Sequence, residues 1–249
     1  MEPLQVFENF LALSARGPLS AASRDEFLED ELAQDYSGAP RATPLVCNAM
    51  LRIDATHAVA RVTIEQPARK VPFGREGGPE IEAELPAREV DTYWFLSKTN
   101  RWHVGAQRAL AQTGLYELIL AFSPSHDSIE TESRANARLT LSSDRELARW
   151  YREHQGEIEA LAEAARGLAA RGEEKSFTDT SVLADRLHAL HVTAAEVLAD
   201  DGVDIVVGGM ADNSVLFRNV PTGERPPITP NHVIWAEALG GGWFLVRTT

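Results

Sequence analysis

Residues 143–171 read SDRELARWYREHQGEIEALAEAARGLAAR and carry the strongest periodic signal in the chain. Ser143 and Glu146 have the spacing of a capping box, in which each side chain accepts a backbone N–H at the start of a helix. Positions on one face then recur at alternating intervals of four and three residues: Leu147, Tyr151, His154, Ile158, Leu161, Ala165 and Leu168. This spacing predicts a single helix from about residue 144 to 171 with one apolar face. We expect that face to pack on the protein's own sheet, and packing on a second copy is the alternative.

After this helix, short apolar runs alternate with turn signals. Five strands are predicted at about 190–199, 203–209, 213–219, 231–238 and 243–248. Asp200-Asp201-Gly202 separates the first two, and a glycine tolerates the positive φ that a tight hairpin turn requires. Residues 138–249 are therefore predicted to form one domain, a long helix followed by an antiparallel five-stranded meander.

Residues 1–125 are predicted to form the other domain. Apolar residues at helical spacing run from Leu4 to Ser14, and a capping box at Ser23 and Glu26 predicts a second helix that ends near Tyr36. The period then changes to two, which predicts strands at about 44–53, 58–66, 88–97 and 101–110, with a long loop over 67–86 and a closing helix over 112–122. Both domains thus belong to the α+β class, with helices packed on a mainly antiparallel curved sheet.

One hairpin and the order of elements in the first domain resemble a known family. The hairpin is residues 91–104, DTYWFLSKTNRWHV, in which an aromatic-rich strand turns through a polar loop into a strand that begins with tryptophan. Residues 1–122 resemble the cone-shaped NTF2-like or SnoaL-like domains, whereas residues 138–249 resemble no family that we can name. The resemblance implies a curved sheet wrapped around helices that enclose an apolar pocket. That family includes isomerases, dehydratases and epoxide hydrolases as well as non-catalytic binding proteins and immunity proteins, so fold alone does not decide between enzyme and binder.

The same hairpin contains the candidate catalytic residues Asp91, Tyr93 and His103. Asp91, Tyr93 and Phe95 alternate onto one face of their strand. A three-residue turn is expected to place His103 across from Phe95 on that face, whereas a turn of two or four residues reverses it. A desolvated carboxylate is a usable general base, and a phenol stabilises a developing enolate. The alternative is structural, with Asp91 at a solvated strand end and His103 on the surface.

A proline-rich connection near the C-terminus contains the candidate binding residues. Glu224 and Arg225 are at its tip, and Trp235 follows in the next predicted strand. Four prolines stiffen it: Pro221, Pro226, Pro227 and Pro230. A stiff loop loses little conformational entropy on binding, which suits recognition, although a purely structural loop has the same composition.

Composition and charge exclude several classes of protein. The 249 residues include 24 Lys and Arg against 37 Asp and Glu, a formal net charge of −13. Such a field repels phosphate backbones, so no nucleic-acid partner is expected, and a cationic protein partner or simple solubility is favoured. The absence of a basic leader and of a membrane-length apolar run predicts a cytoplasmic protein with no membrane partner.

Metal, cofactor and nucleophile motifs are missing from the sequence. The single cysteine, Cys47, sits in an apolar run and is predicted to be a small buried residue. HExxH, paired CxxC, P-loop and dinucleotide-binding patterns do not occur, and His188 and His191 have no acidic partner at a familiar spacing. No metal site and no cofactor are therefore predicted.

These features predict a bacterial cytoplasmic protein that binds another protein, as an immunity or accessory factor, without being an enzyme. The alternative is an NTF2-like small-molecule enzyme or carrier, an isomerase, dehydratase or hydrolase, with a small apolar ligand in a pocket of the first domain. A homodimer formed through the face of the helix at 144–171 stays open.

Overall fold

The computed structural model describes residues 2–36, 40, 45–73, 81–109, 113–122, 132–210 and 213–249. The chain divides into two compact units, the first Met1–Glu65 with Glu89–Ala109 and the second Gln66–Arg88 with Leu110–Thr249. Helices and antiparallel sheets make up the structure, which confirms the α+β class. The sequence predicted a boundary near residue 125, whereas the structure assigns residues 66–88 and 110–122 to the second unit.

In chain order the elements are α1 (Pro3–Ser14), α2 (Ala21–Phe27), α3 (Asp30–Asp35), β1 (Cys47–Arg52), β2 (His57–Gln66), β3 (Arg69–Phe73), β4 (Ile81–Leu85), β5 (Arg88–Lys98), β6 (Trp102–Ala109), α4 (Thr113–Phe122), α5 (Glu132–Leu141), α6 (Asp144–Glu153), α7 (Gln155–Ala170), β7 (Ser176–Phe177), α8 (Ala184–Ala189), β8 (Ala194–Val197), β9 (Val203–Met210), β10 (Asn213–Asn219), β11 (Val233–Gly240) and β12 (Trp243–Thr248).

The first unit packs its three helices against a sheet of strand order β1-β2-β5-β6. The second predicted helix is in fact two short helices, α2 and α3. The cap is Ser20, whose hydroxyl accepts the Ser23 N–H at 3.1 Å, instead of the predicted cap at Ser23. The helix ends at Phe27 because Leu28 is extended and pairs with Val104 of β6.

Part of the predicted loop at 67–86 is a hairpin. Strands β3 and β4 pair antiparallel from Arg69 with Leu85 to Phe73 with Ile81, and the residues between them lie outside the described part of the chain. Glu117 of α4 forms ion pairs with Arg69 at 3.3 Å and with Arg88 at 2.5 Å. These contacts explain why residues 66–88 cluster with the second unit.

The second unit has a six-stranded sheet of order β11-β12-β10-β9-β8-β7. The predicted five-stranded meander differs from it in two ways. A short additional strand, β7, forms one edge, and β12 lies between β10 and β11. Because β10 and β11 each pair antiparallel with β12, they run parallel to each other, and residues 220–232 form a crossover connection between them.

The long predicted helix is broken at His154, where the backbone has φ −115° and ψ 16°. The His154 Nδ1–H donates to the Trp150 carbonyl at 2.9 Å, and the imidazole stacks on the Trp150 ring. The apolar face nevertheless runs through both helices. Its members are buried in the core of the second unit: Leu147, Tyr151, Ile158, Leu161, Ala165 and Leu168. The face therefore packs within its own unit, as expected, and is not exposed for a second copy.

A buried ion pair joins the start of α6 to β12. Arg247 Nε donates to Asp144 Oδ1 at 2.9 Å, and Arg247 Nη2 donates to the Ser142 carbonyl at 2.8 Å. Asp144 is fully buried and Arg247 is 4% exposed. Asp144 is also the first residue after the Ser143 cap, whose predicted capping box is confirmed.

The glycine pair in β9 has a packing role. A Cβ on Gly208 would lie 2.1 Å from Thr140 Oγ1 of α5, so only glycine allows the helix this close to the strand. At Gly209, the Tyr116 hydroxyl accepts the backbone N–H at 2.7 Å and donates to the carbonyl at 3.0 Å. The unusual VGG sequence is thereby explained by the contact of β9 with α4 and α5.

Candidate functional site

The predicted catalytic residues do not come together. The β5–β6 turn contains three residues, as the prediction required, but His103 pairs with Ser97 instead of Phe95. Asp91 is six residues away from Ser97 along β5, which at about 3.3 Å per residue is roughly 20 Å. Asp91 is buried and accepts a hydrogen bond from Thr63 Oγ1 at 2.5 Å, and Tyr93 is also buried. The carboxylate, the phenol and the imidazole of these three residues therefore do not form one site.

The side chains that pack beneath the helices are those at the alternate positions of β5 and β6. Trp94, Leu96, Trp102 and Val104 occupy the alternate positions and lie in the core beneath α1–α3. Aromatic rings pack closely there, with the Phe10 and Trp94 centroids 5.7 Å apart. The space between helices and sheet, where the family resemblance placed an apolar pocket, is thus occupied by core side chains at this point.

His103 forms a different group that sequence reasoning missed. Arg101 Nε donates to His103 Nε2 at 3.0 Å, so Nε2 is an acceptor and the ring proton is on Nδ1. Nδ1 lies 3.6 Å from Glu29 Oε2, and burial raises the pKa of Glu29. Glu29 reaches β6 because its N–H donates to the Val104 carbonyl at 3.1 Å. No local spacing signals this long-range pairing.

A small cavity opens where α1 and α2 meet the β5–β6 turn, with a volume of about 200 Å³. Its apolar lining is Val6, Phe27 and Trp102, and its polar lining is Asn9, Glu26, Lys98, Asn100 and Arg101. All of these residues belong to the first unit. None of them was predicted as a site residue, because their convergence depends on where the helices dock.

The proline-rich connection between β10 and β11 is anchored at both ends. The Gly223 N–H donates to the Val220 carbonyl at 2.8 Å, and the Thr229 N–H donates to the Val233 carbonyl at 2.8 Å. Between these anchors Pro226 and Ile228 are buried, whereas Glu224 and Arg225 are exposed. The tip is therefore presented to solvent by a restrained loop.

Trp235 does not belong to this exposed surface. Its side chain is fully buried, and its Nε1–H donates to Glu237 Oε2 at 3.4 Å. The prediction of Trp235 as a binding residue is not supported by this position, because strand alternation places the indole inside the unit. Glu224 and Arg225, which are exposed, remain candidate binding residues.

The connection is longer than the topology requires. β10 ends opposite Trp243 of β12, and β11 begins opposite Thr248, near the other end of that strand. The connection therefore has to run back along the length of β12 and across from β10 to β11, two strand spacings away. The straight distance is about 20 Å. About six extended residues span that distance, whereas residues 220–232 number thirteen. Roughly half of the loop is therefore surplus to the crossover.

Cys47 and the histidines of the described ranges have ordinary structural surroundings. Cys47 Sγ donates to the Ala49 carbonyl at 3.3 Å, and burial raises the pKa of the thiol to about 11, so it stays protonated near neutral pH. His188 lies 3.3 Å from Glu132 on the surface. Within the described ranges, no group of three or more His, Cys, Asp or Glu side chains is placed to hold a metal ion, and no helix there is long and apolar enough to cross a membrane.

Comparisons with family models, curated proteins and solved structures give no match for this chain. The resemblance of residues 1–122 to NTF2-like domains accordingly stays a prediction.

Proposed function

We propose that this is a non-enzymatic protein of the bacterial cytoplasm that binds a basic partner protein, as an immunity or accessory factor. The observation that carries the proposal is the restrained loop at 220–232. It holds Glu224 and Arg225 in solvent while Pro226 and Ile228 anchor it in the second unit.

The loop is preorganised for binding. Ordering a flexible loop on binding costs about 0.5–1.5 kcal/mol for each immobilised side chain, in addition to backbone entropy. Here the prolines and the two backbone hydrogen bonds restrict the loop before a partner arrives. An adjacent anion and cation at the tip then offer one acceptor and one donor group to complementary charges.

The charge of the chain supports a basic partner. A net charge of −13 attracts cationic surfaces over a Debye length of about 8–10 Å at physiological salt. Binding of this kind is expected to weaken as salt rises, mainly through slower association.

The enzymatic alternative is the weaker proposal. An NTF2-like isomerase, dehydratase or hydrolase using Asp91, Tyr93 and His103 needs these groups around one substrate, and Asp91 and His103 are separated by roughly 20 Å along the sheet.

The test is site-specific photo-cross-linking in the bacterium of origin. A photoreactive amino acid replaces Arg225 in one strain and Glu174 in a control strain, since Glu174 is also exposed but lies in the turn after α7. The proposal expects one polypeptide that cross-links at position 225 and not at 174, with a yield that falls at high salt. The same set of polypeptides at both positions, or none at 225, contradicts it.

A further inference from the structure

We propose that the cavity at the β5–β6 turn is a binding site for a small organic carboxylate with a planar apolar body. The cavity belongs wholly to the first unit, so its ligand and the partner of the 220–232 loop are tested by different variants.

The lining of the cavity carries an unbalanced charge. In a chain with net charge −13, Lys98 and Arg101 line this cavity, and neither forms an ion pair with any carboxylate of the described residues. Glu26 also lines the cavity without pairing with them. Two cations against one anion leave the cavity with a local positive charge, which favours an anionic ligand.

Arg101 is already fixed in position by hydrogen bonds. Its Nη2 donates to the Asp25 carbonyl at 2.7 Å, and its Nε donates to His103 Nε2 at 3.0 Å. Nη1 is left for a ligand. A guanidinium held in this way loses little side-chain entropy when a carboxylate binds, and its planar donors match carboxylate geometry.

The volume and the apolar lining of the cavity limit the size and type of the ligand. Trp102 and Phe27 provide apolar surface, and Lys98 Nζ lies 5.9 Å from the centroid of the Trp102 ring. Pockets for drug-sized ligands measure about 300–1,000 Å³. A cavity of about 200 Å³ therefore accepts something smaller, such as a single aromatic ring with one carboxylate. It is too small for a folded polypeptide segment.

The probes are benzoate and phenylacetate, with benzamide as the neutral analogue of benzoate. Binding to the full chain is followed through the indole N–H signal of Trp102 in ¹H–¹⁵N spectra, assigned with Trp102→Phe, at constant ionic strength. Saturable shifts are expected for the carboxylates, with binding at least about tenfold weaker for benzamide.

Variants distinguish binding in this cavity from a general attraction of benzoate to positive charge. Lys98→Gln and Arg101→Gln are each expected to weaken benzoate binding about tenfold or more, whereas Lys98→Arg retains it. Arg52→Gln is the matched control. Arg52 also lies over the Trp102 ring, at 5.6 Å, but it pairs with Glu2 and does not line the cavity. Its substitution is expected to leave binding unchanged.

Arg101 also makes structural contacts, so Lys98→Gln decides the matter if Arg101→Gln fails to fold. The side chain of Lys98 contacts only the Trp102 ring among the interactions the structure shows for it. The proposal is overturned if neither carboxylate gives a saturable shift up to about 10 mM, if benzamide binds as tightly as benzoate, or if Lys98→Gln binds like the parent protein.

Discussion

Replacing Arg247 by methionine tests the account of the second unit. The change keeps the length and apolar stem of the side chain but removes the guanidinium that Asp144 and the Ser142 carbonyl contact. Asp144 is fully buried, so water cannot replace the lost donor. The variant removes this guanidinium from a fully buried carboxylate at the start of α6.

The expected cost is about 3–5 kcal/mol in the free energy of unfolding, the range for breaking a buried pair from one side. Total stabilities are about 5–15 kcal/mol, so the loss is a large fraction of the whole. An exposed pair gives the matched control. Lys70 and Glu82 of the same unit lie 3.1 Å apart with 67% and 66% of their side chains exposed, so Lys70→Met is expected to cost less than about 1 kcal/mol.

Urea unfolding of Arg247→Met, Lys70→Met and the double variant Asp144→Leu/Arg247→Met measures these differences. Hydrogen exchange of the β12 amides locates the loss in the second unit. The double variant removes both charges of this pair and is expected to be more stable than Arg247→Met alone. Two results would contradict a stabilising buried pair: Arg247→Met costs no more than Lys70→Met, or the double variant is less stable than the single one.

Three further predictions follow from the packing and from the shifted pKa values. Gly208→Ala is expected to lower the free energy of unfolding by about 1–3 kcal/mol, because its Cβ would lie 2.1 Å from Thr140 Oγ1. Adding Thr140→Ala should recover most of that loss, as measured by urea unfolding. If stability is not recovered, the steric clash is not the cause. Burial raises the pKa of Glu29, so the folded state holds that proton more tightly than the unfolded chain and loses stability as pH rises through the raised pKa. Glu29→Gln removes this loss, so the stability gained over the parent should grow from about pH 3 to pH 7, and a constant difference over that range argues against the burial effect. With its pKa raised to about 11, Cys47 should react with a disulfide reagent at pH 8 at least about tenfold more slowly in the folded protein than in urea. Equal rates would show an accessible thiolate.

Local signals in the sequence predicted the element types well. The capping box at Ser143 predicted the start of α6, and the apolar periodicity predicted the face buried in the second unit. Period-two alternation predicted β5 and β6 to within a residue or two. Each of these predictions depends on residues that are close together in the chain. There, intrinsic propensity and burial favour the same secondary structure.

Predictions that depended on distant contacts were less successful. The break at His154 arises from a side-chain bond to the Trp150 carbonyl, which the heptad spacing does not reveal. The position of β12 between β10 and β11 is a choice of pairing partner that hairpin signals cannot specify.

The candidate site shows the same limit. Strand alternation predicted the face of His103 but not its partner, because Glu29 reaches it only through the pairing of Leu28 with β6. Composition marked the 220–232 loop as stiff, yet only the structure shows that Trp235 is buried and that the loop exceeds its crossover. The cavity beside Lys98 combines two helices and a turn, and no single stretch of sequence contains it.

The central claim is that the tip of the 220–232 loop binds a protein partner. Native mass spectrometry of the protein purified gently from its own host tests it directly, with the charge-exchanged variant Glu224→Lys/Arg225→Glu purified in parallel. That variant keeps the net charge at −13, so any difference reports the arrangement of charges at the tip. We predict a bound polypeptide on the parent protein that is released as salt rises and is missing from the variant. A polypeptide bound equally to both proteins, or a parent protein that carries only a small molecule, would contradict it.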